Sequence, residues 1–163
     1  MRISGPTGIL FLILLITAGC GVYSFRPAGK PAFESVNVAQ FESKTLEYQL
    51  ADRLTDAIVD AFIQDNSIEV REASRAEAIM TGTLIGYRRS AFTYDSEDIV
   101  TEYAVKVTVQ VSVKRAGTED VIWEEDFFVE GIYDAFDETE DDGQTRAIEL
   151  LTTSILDRTT KSW

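Results

Sequence analysis

The spacing of apolar residues along the chain predicts two amphipathic helices. Between residues 46 and 65 apolar side chains recur every three or four positions, as they do on one face of a helix, and Thr45 is the expected N-terminal cap. Residues 140–158 show the same spacing. The two predicted stripes are Leu46, Leu50, Leu54, Ala57, Ile58, Ala61 and Phe62 in the first helix, and Ala147, Ile148, Leu151, Ile155 and Leu156 in the second.

Alternating apolar and polar residues predict five strands, at residues 35–41, 68–72, 78–94, 99–114 and 121–133. The clearest alternation lies in 99–114, where the odd-numbered positions are mostly apolar and the even-numbered positions mostly polar. Such a strand is covered on one face only, and we expect Val109 and Trp123 on the covered face. Gly82 and Gly86 interrupt 78–94, so a bulge or bend is expected there.

The order β-α-β-β-β-β-α predicts an α+β fold, a single mixed β-sheet with both helices packed on one face. A 20-residue helix is about 30 Å long, whereas a 16-residue strand is about 50 Å long. The ends of the long strands should therefore project beyond the helices. The second face of the sheet carries polar side chains and is left either to solvent or to a partner.

The N-terminal segment has the layout of a secretory signal peptide, with Arg2 followed by an apolar run over residues 9–17. It resembles the bacterial lipoprotein type, because Ala18-Gly19 leads to Cys20, the only cysteine of the chain. An ordinary signal peptide with a chance cysteine is the alternative. We expect residues 1–19 to be removed, residues 20–34 to form a lipidated N-terminus and tether, and residues 35–163 to form the folded domain.

The lipoprotein resemblance also implies a membrane address. The Cys20 thiol would carry a diacylglycerol and the new N-terminus an acyl chain such as palmitate, and two or more chains give a stable anchor. Gly21, rather than the Asp that retains lipoproteins on the inner membrane, follows the cysteine. The expected location is therefore the outer membrane, on its periplasmic side.

Composition excludes several classes of function. The chain has 28 acidic residues and 15 Lys and Arg residues, with a formal net charge of −13. Because nucleic acid is itself negatively charged, so acidic a chain is a poor candidate for binding it. It contains no histidine, which removes Ser-His and Cys-His catalysis and most zinc sites. We therefore expect no enzyme activity, no metal and no cofactor apart from the covalent lipid on Cys20.

Two acidic clusters mimic chemical motifs. Residues 138–149 have the carboxylate spacing of a calcium-binding loop, but the first position is Glu138 and a strand precedes it. These carboxylates are better interpreted as complements to the positive end of a helix. Glu124 and Asp126 would share one face of a strand and Glu125 the other, so they predict no catalytic pair.

A partner, if there is one, should contact the polar sheet face and the projecting strand ends. Arg88-Arg89 is one of two pairs of adjacent cationic residues, and such a pair suits phosphate or carboxylate groups. The alternative interpretation is that these arginines are solubilising charges at the end of a strand. Residues 94–99 form the predicted hairpin tip. The candidate contact residues are Arg88, Arg89, Tyr94, Lys106, Thr108 and Gln110.

The order of short motifs along the mature chain resembles the LptE family of lipopolysaccharide-assembly lipoproteins. The order begins with Cys20-Gly21-Val22-Tyr23-Ser24-Phe25 and ends with a C-terminal amphipathic helix that finishes at Trp163. The motifs between them are Val36-x-Val38, Phe41-Glu42-Ser43-Lys44-Thr45, Leu54-Thr55-Asp56-Ala57, Phe62, Thr81-Gly82-Thr83-Leu84, Tyr87, Tyr94-Asp95-Ser96, Val100-Thr101-Glu102-Tyr103 and Val121-Ile122-Trp123-Glu124-Glu125.

This resemblance implies a plug that sits in the lumen of the outer-membrane β-barrel LptD, helps the barrel fold and takes part in passing lipopolysaccharide to the outer leaflet. Lipopolysaccharide is then a second expected ligand, and its phosphates would bind Arg88 and Arg89. Two other hypotheses stay open. The chain could be a generic envelope lipoprotein, a scaffold of another assembly system, in which case no barrel copurifies with it. It could also be a lipid-anchored hydrolase, in which case a carboxylate variant abolishes a measurable turnover.

Overall fold

The computed structural model describes residues 32–161. The order of its helices and strands confirms the predicted α+β fold and includes one short strand that was not predicted. The elements are β1 (Ser35–Val38), β2 (Glu42–Ser43), α1 (Tyr48–Asp65), β3 (Glu69–Val70), β4 (Ala78–Tyr94), β5 (Val100–Arg115), β6 (Val121–Asp134) and α2 (Glu140–Thr160).

The strands form one mixed sheet in the order β3-β1-β4-β5-β6. β1 is parallel to both of its neighbours, whereas β4, β5 and β6 form an antiparallel meander. The short β2 lies on the same side of β4 as β1, with Glu42 beside Thr83. β1 and β2 together therefore flank only the first half of β4.

Both helices pack on one face of the sheet, where they enclose the hydrophobic core. The alternation predicted for β5 is confirmed, since Val109 is fully buried, and Trp123 of β6 is only 4% exposed. The other large contributors from β5, α1 and α2 are Val105, Val107, Val111, Val113, Leu54, Ile58, Phe62, Leu151 and Ile155.

A register shift in β4 confirms the bulge expected near Gly86. Leu84 lies opposite Val109, but Gly86 lies opposite Thr108, so one residue of β4 is extra. Before the shift the even-numbered side chains of β4 face the core, and after it the odd-numbered ones do. Gly82, the other glycine that interrupts this strand, leaves room for a neighbouring ring. A Cβ atom added at Gly82 would lie 2.2 Å from the Phe41 ring.

Helix α1 begins at Tyr48, two residues later than the sequence predicted. The Lys44 amide donates to the Leu84 carbonyl at 2.9 Å, which keeps the chain extended beside β4 past the expected start. Leu46 consequently lies outside the helix and is 89% exposed. Thr45 does not cap the helix; its hydroxyl accepts a hydrogen bond from the Glu47 amide at 3.1 Å.

The fold also begins before the predicted domain boundary. Phe33, in the segment expected to be tether, is buried in the core. The next residue, Glu34, donates its amide to the Glu77 carboxylate at 3.0 Å.

The strand expected at residues 68–72 is shorter in the structure, Glu69–Val70. No helix within residues 32–161 is long and apolar enough to cross a membrane.

Helix α2 approaches β6 at a pair of glycines. A Cβ atom added at Gly131 would lie 1.9 Å from the Gly143 carbonyl oxygen, and one added at Gly143 would lie 2.6 Å from the Tyr133 ring. The first obstacle is main chain and cannot rotate away. This contact explains a glycine inside a helix, where it otherwise costs about 1 kcal/mol relative to alanine.

Replacing Trp123 with alanine should lower the free energy of unfolding by about 3–5 kcal/mol, because it empties a buried aromatic site. Gln110→Ala, on the uncovered face of the same sheet, is the control and should change it little. Urea unfolding measures both. A Trp123→Ala protein as stable as wild type would show that the faces of the sheet are assigned wrongly.

Gly131→Ala should destabilise the fold by about 2 kcal/mol or more, because the helix must move off the sheet to admit the methyl group. Gly86→Ala is the matched control, since its Cβ would meet only the Thr108 side chain at 3.3 Å. Thermal melting compares the two variants. Equal stability of the two would contradict the close helix–sheet contact.

Candidate interaction surface

The sheet face that points away from both helices, here called the open face, is polar along its centre. Lys106, Thr108 and Gln110 of β5 lie on it, because they alternate with the buried valines. All three are partly exposed, as expected for positions on the uncovered face. Near one end of this face a shallow depression of about 210 Å³ is lined by Thr81, Thr83, Gln110, Ser112, Lys114 and Glu124.

Arg88 also lies on the open face, opposite Lys106 in the β4–β5 ladder. The Lys106 ammonium is 2.8 Å from a Glu130 carboxylate oxygen, so its charge is paired within the sheet. Among residues 32–161 no hydrogen bond or ion pair engages the exposed Arg88 side chain. Of the two adjacent arginines, Arg88 is therefore the one whose guanidinium is available to an external acceptor.

Arg89 lies on the opposite face, because adjacent strand residues point to opposite sides. Its guanidinium carbon is 3.7 Å from the centre of the Tyr103 ring, and its Nε donates to the Tyr133 hydroxyl. That hydrogen bond raises the pKa of Arg89 above its ordinary value. A Glu140 carboxylate oxygen lies 3.8 Å from the same nitrogen. The structure thus separates two residues that the sequence treated as one pair.

Tyr87 ties the same part of β4 to the start of α2. Its hydroxyl donates to the Glu140 carboxylate and accepts from the Gln144 amide at 2.9 Å. Burial, followed by the hydrogen bond to Glu140, raises the pKa of Tyr87 well above its usual range. With the Arg89 contacts, these bonds fix the far half of β4 against the first turn of α2.

The acidic residues at the start of α2 are all engaged within the fold. The Arg146 guanidinium and the Asp134 amide hold the pKa of Glu138 at about 2. Asp142 accepts from the Thr139 amide at 2.8 Å, which lowers the pKa of its carboxyl. The interpretation of these carboxylates as helix-end charges is confirmed. Over residues 32–161 no three potential metal ligands converge.

The β4–β5 hairpin projects past β6 at one end of the sheet. β6 ends at Asp134, opposite Glu102, so the hairpin continues past it. Three apolar side chains on this projection are exposed, Phe92, Tyr94 and Ile99. The turn is closed by Asp95, whose carboxylate accepts from the Glu97 and Ile99 amides at 2.8 and 2.9 Å.

Besides Phe92, sequence reasoning missed two exposed phenylalanines on these surfaces. Phe128 lies on the open face opposite Thr108, and Phe136 follows β6 next to the projecting hairpin, where the Ala135 amide donates to the Thr101 carbonyl at 3.0 Å. The alternation that buried Phe127 could have placed Phe128 on the open face. For Phe136 no periodic signal exists, since it lies in a loop.

The expected lipidation site, Cys20, lies outside the described residues. The first described residue, Ala32, is partly buried against the core, next to the buried Phe33.

Three solved structures with similar folds cover most of the chain. Protein XCC0632 from Xanthomonas campestris has a TM-score of 0.63 at 13% identity, over 83% of this chain and 88% of that one. The hypothetical protein CT253 from Chlamydia trachomatis has a TM-score of 0.55 at 12% identity, over 78% and 95%. The PelC dodecamer from Paraburkholderia phytofirmans has a TM-score of 0.54 at 11% identity, over 83% and 95%. At such identities these likenesses show the fold alone.

No curated protein matches the sequence significantly. A family model does: LptE, described as lipopolysaccharide-assembly, matches residues 33–159. That span covers every strand and nearly all of α2, so the match concerns the whole folded domain and not a single motif. The chain therefore belongs to the LptE family of lipopolysaccharide-assembly proteins.

Proposed function

We propose that this protein is an outer-membrane lipoprotein, anchored on the periplasmic side by lipid on Cys20, that acts as plug and assembly partner of the LptD barrel. Its role is to help the barrel fold and to take part in transporting lipopolysaccharide to the outer membrane. Family membership supports the assembly role, and the barrel partnership is the finer part of the proposal.

The observation that carries the proposal is the open face. A sheet of this size is stable with one side covered, because the two helices already enclose its core. Its other side presents hydroxyl, amide and paired charged groups, notably Thr108, Gln110 and the Lys106–Glu130 pair. The lumen of a large outer-membrane barrel is polar, so this composition suits a body enclosed by such a lumen.

We assign the direct contacts to Arg88, Lys106, Thr108 and Gln110 on the open face and to Tyr94 on the projecting hairpin. Arg89 serves the same surface as a positioning residue, since its contacts with Tyr103 and Tyr133 hold the hairpin. Arg88 is also the group that would meet a lipopolysaccharide phosphate. Binding of that kind weakens as salt screens the charges.

Arg88→Glu and Arg89→Glu should have different effects. The first reverses a side chain that makes no internal bond, so the melting temperature should stay unchanged while recovery of the barrel falls, because a reversed charge in an interface costs several kcal/mol. The second places a carboxylate beside Glu140 and removes the stacked guanidinium, so it should lower the melting temperature itself.

Affinity purification of the tagged full chain in gentle detergent, with the bound protein identified by mass spectrometry, measures barrel recovery. Undiminished recovery with Arg88→Glu would remove this arginine from the interface. If wild type recovers another envelope assembly protein and never the barrel, the generic-lipoprotein hypothesis replaces this one.

Cys20→Ala should leave the signal segment uncleaved and the chain without lipid, because Cys20 is the only thiol in the protein and the thiolate is the nucleophile that forms the thioether. Mass spectrometry of the mature wild-type N-terminus is the direct measurement. A mature wild-type chain with a free, unacylated Cys20 would contradict the lipid anchor.

A further inference from the structure

The second half of β4 has an edge with which no strand of residues 32–161 pairs. β1 pairs with residues 78–80 and β2 with residues 83–84. The last main-chain bond on that side runs from the Lys44 amide to the Leu84 carbonyl. Residues 86–91 then continue in unbroken register with β5 alone, up to the irregularity between Ala91 and Thr93.

The register identifies which groups point outward along these six residues. Before the shift at Gly86, the even-numbered residues bond toward β1 and β2, as the carbonyls of Met80 and Leu84 do. One extra residue inverts this alternation. Tyr87, Arg89 and Ala91 therefore direct their amide and carbonyl groups to the open side, whereas Arg88 and Ser90 bond to β5.

The other long edge of the sheet, along β6, is guarded. At one end the Arg146 guanidinium donates to the Ile132 carbonyl at 2.7 Å, and the Glu138 carboxylate accepts from the Asp134 amide at 2.7 Å. The rest of β6 carries four carboxylates, Glu124, Glu125, Asp126 and Glu130. Charges on an edge strand oppose pairing with another strand.

The β4 edge carries charge as well, but no side chain of residues 32–161 bonds to its outward main-chain groups. Residues 86–91 contain no carboxylate and no proline, and their two charges are those of Arg88 and Arg89. Arg89 is held by Tyr103 and Tyr133. A row of unpaired amides and carbonyls binds one kind of ligand well, an extended main chain that continues the sheet. Six residues are enough for a strand of ordinary length.

We propose that residues 86–91 of β4 accept an extended strand from the protein's partner, so that the sheet continues into the partner chain. The inference rests on the proposed function in that the partner is the barrel. Self-pairing of two copies is opposed by the net charge of −13 on each chain. Because Arg88 has no internal partner and projects from the open face, the incoming strand should carry a carboxylate opposite it.

Amide hydrogen exchange on the full lipidated chain in detergent, alone and in the copurified complex, tests this pairing. The Tyr87, Arg89 and Ala91 amides should slow by about ten-fold or more in the complex. The Arg88 and Ser90 amides, already bonded to β5, are the internal control and should change little.

Two single substitutions to proline, one on each edge strand, test the same pairing. Ala91→Pro removes an outward-facing amide and blocks pairing while sparing the β4–β5 ladder. It should leave the chain folded and reduce recovery of the barrel. Asp126→Pro removes an outward-facing amide on the β6 edge, outside the depression that Glu124 lines, and recovery should stay at the wild-type level.

The outcomes separate this inference from the function it rests on. A recovered barrel with no protection at residues 87, 89 and 91 would overturn the strand pairing and leave the barrel partnership standing. Absence of the barrel would overturn both. Protection that appears in the isolated chain as its concentration rises would show pairing between copies and would also overturn the inference.

Discussion

The register shift between Leu84 and Gly86 determines what each half of β4 does. Before the shift the strand is central, flanked by β1 and β2 on one side and β5 on the other. After it the strand has one neighbour, its core-facing positions change from even to odd, and its outward-facing main-chain groups change with them. The single extra residue also decides which of the two arginines faces the helices, Arg89, and which lies on the open face, Arg88.

The two halves of the domain consequently have different roles. The first half of β4, with β1 and α1, contributes mainly to the core. The second half is held to α2 by the bonds of Tyr87 to Glu140 and Gln144. The bond from Arg89 to Tyr133 holds it to β6. On the face covered by the helices, the charges of Arg89 and Glu140 therefore lie close to each other within the fold. These contacts leave the other face, with Arg88 and the polar positions of β5, to an external partner.

Much of this arrangement could be predicted from the sequence because it depends on periodicity. The alternating valines of β5 place Val109 in the core and Gln110 on the open face without reference to any other segment. The two helices are similarly marked by their apolar stripes. By contrast, β2 is only two residues long and has no period, so it was missed, and with it the later start of α1.

The candidate surface was predicted less completely for the same reason. Gly86 indicated a bulge, but the sequence does not say which residue is extra, and the faces of Arg88 and Arg89 depend on that residue. The internal contacts of Arg89 join residues far apart in the chain, Tyr103 and Tyr133. Such contacts arise only once the strand register is set.

The central claim is that the open face meets the barrel. Site-specific photo-crosslinking from position 110 in the full lipidated chain, with position 56 on the exposed side of α1 as reference, measures this directly. The account predicts a crosslink from position 110 to LptD. A barrel crosslinked from position 56 but never from position 110 would contradict it.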